Sequence, residues 1–92
     1  MKEADESRMR TVATCTVAEN GDRPIVTYVL LSERIEGECG GNAYTLICKS
    51  GDGEAVMRDI ARNERTALEI FSTFVRNTVT PVGCFDVIEE LI

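Results

Sequence analysis

Four cysteines, at positions 15, 39, 48 and 84, are the side chains of this sequence best suited to chemistry, and the chain contains no histidine. Histidine is the commonest general base and the commonest metal ligand. A cysteine or serine nucleophile here would therefore need Lys, Asp or Glu as its base. The nearest local constellation is Cys84 with Asp86, Glu89 and Glu90. Neighbouring carboxylates raise a thiol's pKa, which opposes activation. Glu89 and Glu90 are adjacent, so on a helix they point about 100° apart and share no site. They read as a solvated face. With no nucleophile beside a base and no acid–base pair, the expectation is a protein that is not an enzyme.

Cysteine spacing points the same way for metals. The intervals are 23, 8 and 35 residues, with neither the short spacing of a zinc knuckle nor a CxxC redox motif. No metal or cofactor is expected. An even cysteine count suggests disulfides only in a secreted chain. The opening Met1-Lys2-Glu3-Ala4-Asp5-Glu6 has no apolar stretch to act as a signal peptide. The reading is reduced thiols in a cytoplasmic protein, with Cys15, Cys48 and Cys84 as small core residues. Cys39 is the candidate reactive thiol, because its loop, Glu36 to Asn42, holds three glycines and suggests exposure. That loop lacks the GxGxxG and GxxxxGK[ST] patterns and no helix follows it, so it is not a phosphate cradle. Gly51-Asp52-Gly53-Glu54 lacks the alternating acidic ligands of a calcium loop.

The chain that must carry these residues is 92 long, 43% hydrophobic and 28% charged, the profile of one ordinary globular domain. Surface scaling gives roughly 64% of the unfolded surface buried on folding, enough for a core without staples. A net charge of −6 excludes a nucleic-acid or anionic-membrane surface. No apolar run approaches the ~18 residues of a membrane span.

Residues 1–8 are polar and read as a disordered tail; 9–92 form the domain. Thr11 to Val17 is a strand by composition, running into Asn20-Gly21, the strongest short hairpin signal. Pro24 to Leu31 returns. A two-residue loop pairs Cys15 with Val26, Ala13 with Tyr28 and Thr11 with Leu30 on the better core face. Ala43 to Ser50 is a third strand and Glu54 to Ile60 a fourth. Their register opposes Lys49 with Glu54, Thr45 with Arg58 and Leu46 with Met57. From Asn63 the period becomes helical, with Ala67, Leu68, Phe71, Phe74, Val75 and Thr78 on one stripe. Asn63 is the N-cap. Thr80-Pro81 starts a second helix, whose apolar side is Phe85, Ile88, Leu91 and Ile92. The fold class is α+β: a four-stranded antiparallel β meander followed by two C-terminal helices packed on one face.

The run Thr27-Tyr28-Val29-Leu30-Leu31-Ser32-Glu33, the strand Ala43-Tyr44-Thr45-Leu46-Ile47, the Met57-Arg58-Asp59-Ile60 step and the ending Val79-Thr80-Pro81-Val82 with Asp86 to Ile92 resemble a family of small clostridial (Firmicutes) proteins known only as a domain of unknown function. The resemblance covers about residues 24–92. That family often places a His-Leu pair where this chain has Gly83-Cys84. The resemblance implies a cytoplasmic protein of this size and no activity.

Two helices can cover only one face of such a sheet. Val12, Ile25, Val29 and Leu31 then form an apolar patch on the other, a size of exposure that monomers seldom tolerate. The reading is a small protein-interaction or regulatory module whose partner is a protein, with a homodimer through this patch as its specific form. The alternative is a small-molecule-binding domain using the sheet face and the Gly-rich 36–42 loop, marked by a pocket lined by Tyr28 or Tyr44.

Overall fold

A computed structural model describes residues 9–18, 25–35, 41–51 and 53–91. Four strands, β1 (Met9–Val17), β2 (Val26–Arg34), β3 (Asn42–Ser50) and β4 (Gly53–Ala61), are followed by the helices α1 (Glu64–Asn77) and α2 (Cys84–Leu91). A single 3₁₀ turn, Pro81–Gly83, precedes α2. The strands form one antiparallel sheet in the order β1-β2-β3-β4, so β1 and β4 are its edges. This is the α+β meander with C-terminal helices that the sequence predicts.

Alternation decides the faces. Val26, Tyr28, Leu30 and Ser32 of β2 are buried while the residues between them are half-buried. Tyr44, Leu46 and Cys48 of β3 and Ala55, Met57 and Ile60 of β4 complete the same inner face. Ala67, Ile70, Phe71 and Phe74 of α1, with Cys84 and Ile88 of α2, close over it. Each fully buried Leu, Ile, Phe or Met contributes about 1.5–3 kcal/mol, so this one-sided core dominates stability.

The register of β3 with β4 opposes Lys49 with Glu54 and Leu46 with Met57, as expected, but Thr45 does not oppose Arg58. The ladder breaks between Leu46/Met57 and Tyr44/Ala61, and residues 58–60 bulge out against Thr45 alone. Asp59 turns through the left-handed region there, at φ 57°. A short polar side chain tolerates that conformation best after glycine. Arg62 reaches back to clamp it, its Nε and Nη2 donating to the two Asp59 carboxylate oxygens at 2.6 and 2.9 Å.

The register of β1 with β2 differs from the expected one by two residues: Cys15 opposes Tyr28 and Ala13 opposes Leu30. A shift of two keeps every side chain on its face. A second bulge, at Val12, lies between the Thr11–Leu31 and Ala13–Leu30 pairs. The Asn20-Gly21 turn, the 1–8 tail, Cys39 and most of the Gly-rich loop lie outside the described residues.

Helix α1 begins at Asn63, whose side chain accepts from the Thr66 amide at 2.8 Å. It ends at Thr78, held left-handed at φ 48° and ψ 54°. The Thr78 amide donates to Val75 O at 3.1 Å and the Val79 amide to Phe74 O at 3.2 Å, a Schellman closure with threonine where glycine is usual. Helix α2 corrects the predicted stripe. Cys84 and Ile88 are buried and Val87 packs on the core, whereas Phe85 is 53% and Leu91 42% exposed.

Candidate functional site

The sheet presents two different surfaces, and the inner one gathers the thiols. Strand pairing lines up Cys15, Tyr28, Cys48 and Ala55 in one row across all four strands. The left-handed turn at Thr78 drops Val79 onto this row. Its carbonyl oxygen accepts the Tyr28 hydroxyl at 2.7 Å and the Cys48 thiol at 3.4 Å. Cys84, at the start of α2, belongs to the same buried core as Cys48. Tyr28, Cys48 and Cys84 are fully buried, and Cys15 is half-buried. All three thiols are free.

Burial disfavours ionisation of Tyr28, Cys48 and Cys84. Burial, with the neighbouring thiols adding to it, drives the Tyr28 phenol far above its ordinary value. Burial also pushes Cys48 up, against a smaller lowering influence of Cys84. Cys84 is pushed up to about 12 by burial first and by Cys48 second. Thiols held protonated in this way are weak nucleophiles. Among the described residues, no three His, Cys, Asp or Glu side chains come together as a metal site.

Among the described residues, no helix packs on the outer surface. Pairing builds it in rows: Thr16, Thr27, Lys49 and Glu54; then Thr14, Val29, Ile47 and Val56; then Thr11, Leu31 and Thr45. The first row is polar, and Thr16 and Thr27 hydroxyls lie 3.1 Å apart. The second is apolar across three strands, with Val29, Ile47 and Val56 each half-buried. Ile25, one residue before β2, is 58% exposed.

Of the four residues expected on this patch, Ile25, Val29 and Leu31 share the alternation of β2's outer face. Val12 does not join them. Its bulge turns it to pack against the core. Ile47 and Val56 take its place, and the Lys49–Glu54 register already sets them opposite each other.

Beyond the apolar row, at the sheet end where β4 bulges, a cleft of about 380 Å³ is lined by Glu33, Arg34, Thr45, Arg58, Asp59 and Arg62, among others. Asp59 and Arg62 neutralise each other: the guanidinium holds the carboxyl below its usual range. Two further depressions lie along α1, one against Leu91 of α2. Tyr28 and Tyr44 line none of these three, being core residues.

The fold and its surfaces thus define a small α+β domain whose two described helices cover one face of the sheet. The chain belongs to a family of unknown function, DUF6514, whose model matches residues 8–92. No curated protein and no solved structure matches it. No helix of the described residues is long and apolar enough to cross a membrane.

Proposed function

We propose that this chain is a non-catalytic, cytoplasmic interaction module that pairs with a second copy of itself through the outer sheet face. The observation carrying the reading is that both helices pack on the inner face, leaving the Val29, Ile47 and Val56 row with Leu31 beside it. An apolar band across a sheet with no covering layer is the surface that association buries. A two-fold axis lets the same patch serve both partners. Each copy carries −6 overall, but the charges on this face balance. The face sets Lys49 and Arg58 against Glu33 and Glu54, so two copies meet without net repulsion. Free core thiols fit a reducing compartment.

The small-molecule reading asked for a pocket lined by Tyr28 or Tyr44. Both are buried in the core, so no observation favours it over pairing. Light scattering at tens of micromolar tests the proposal. A mass of two chains is expected, reduced to one by Val29→Lys with Ile47→Lys at unchanged circular dichroism. A single-chain mass for the unsubstituted protein ends it.

A further inference from the structure

We propose that the cleft at the β4 bulge binds a small acidic amino acid, a ligand carrying two carboxylates and one ammonium. The bulge shapes the cleft. Residues 58–60 stand opposite Thr45 alone, so the outer face opens where the ladder between β3 and β4 breaks. Ala43, which opposes Glu33 across β2 and β3, lines it with only a methyl group. The space, about 380 Å³, falls within the roughly 300–1,000 Å³ of small-molecule sites.

Its charges divide into a closed pair and unpartnered groups. Arg62 commits Nε and Nη2 to the two Asp59 oxygens, which neutralises both and holds Asp59 in its left-handed turn. Arg34, Arg58 and Glu33 line the same cleft, and none of their side chains takes a hydrogen-bond or ion-pair partner among the described residues. What remains for a ligand is therefore two guanidiniums and one carboxylate. A guanidinium presents a planar fork of N–H donors that matches a carboxylate, and a carboxylate accepts from an ammonium. The complementary ligand has two of the first and one of the second.

Thr45, the buried member of the lining, points the same way independently. It is only 5% exposed, yet its hydroxyl makes no hydrogen bond to the described residues, whereas buried polar groups are as a rule satisfied. A ligand carboxylate at the cleft floor accepts from this hydroxyl. Inorganic phosphate suits the lining less well. It brings nothing for Glu33 to accept, and Glu33 and Asp59 repel a dense dianion.

The test titrates the full chain with glutamate and follows each backbone amide by NMR. Expected are saturable shifts at Ala43, Thr45, Arg58 and Asp59, with a millimolar midpoint because both free guanidiniums stand at an exposed rim. Glutarate, which lacks the ammonium, should bind several-fold more weakly, and Glu33→Gln should erase that preference. Arg58 is exposed, so Arg58→Gln should keep the fold and weaken glutamate about tenfold. Thr45→Val, of the same shape, should weaken it several-fold. Shifts that do not saturate, equal affinity for glutamate and inorganic phosphate, or unchanged affinity in Arg58→Gln overturn the inference. It does not rest on pairing, because shifts at the cleft are read separately from the mass that tests the dimer.

Discussion

The Tyr28 hydroxyl donates to the Val79 carbonyl oxygen at 2.7 Å, a bond spanning 51 positions that ties the second strand to the segment between the two helices. Val79 otherwise sits in a link with no regular structure, and its carbonyl would be poorly satisfied. Tyr28→Phe keeps the ring in place and removes the donor. Because the Cys48 thiol still reaches the same oxygen, a loss of about 1 kcal/mol is expected, read from urea midpoints.

The same row makes stability sensitive to alkali. Tyr28, Cys48 and Cys84 all have raised folded-state values, Cys84 to about 12. The unfolded chain gives up its thiol protons from about pH 8.5 and its phenol proton from about pH 10. Between those values and the folded ones the unfolded state binds fewer protons, so stability falls as pH rises and is fully present below about pH 8. Urea midpoints at pH 7, 9 and 10.5 should decline progressively, and Cys84→Ala should flatten the curve. A midpoint that does not move between pH 7 and 10.5 contradicts the burial argument.

Thr78 is the β-branched residue of a left-handed cap. That conformation costs an L-residue roughly 1–2 kcal/mol. Thr78→Gly releases the strain while adding backbone freedom to the unfolded chain, so a net gain of about 1 kcal/mol is expected. Differential scanning calorimetry measures it as a higher Tm.

Helix α2 is held by Ile88 and Cys84 and not by Phe85. Ile88→Ala should cost roughly 2–5 kcal/mol through the cavity it leaves. Phe85→Ala, at an exposed position, should cost less than about 1 kcal/mol. Equal losses for the two in chemical denaturation would place the helix in a different rotation.

The proposed pairing through the outer face predicts a stability that depends on concentration. Tm should rise between 2 and 200 µM protein, a range on the order of a hundredfold, and Val29→Lys should abolish the dependence. A concentration-independent Tm for the unsubstituted chain is incompatible with a dimer.

Much of this architecture is legible in alternation and period, because burial on one face imposes them. Leu46–Met57 and Lys49–Glu54 follow from hydrophobic and charge matching. Three features escape such reading. The Asn-Gly turn signal implies a β1–β2 register two residues from the true one, in which Val17 opposes Val26 and leaves a longer connection. Bulges leave no periodic mark, so Val12 reads as outer-face when it packs inward. On α2, Cys84, Val87, Ile88 and Leu91 fit helical spacing as well as Phe85, Ile88 and Leu91 do, and the greater hydrophobicity of Phe85 selected the wrong rotation. Ile70 was likewise missed beside the correctly placed Phe71 and Phe74. The thiol row needed the true register, since it exists only when Cys15 opposes Tyr28 and Tyr28 opposes Cys48.

The two bulges fall on β1 and β4, the strands at the sheet's margins. An unbroken outer strand is a template on which another chain can continue the hydrogen-bonded ladder without limit. Val12 interrupts one such template, and the Arg58 to Ile60 kink, clamped by Asp59 and Arg62, interrupts the other. Growth by strand addition is thereby frustrated at both ends. The pairing proposed for the outer face would then be a closed, face-to-face encounter that stops at two.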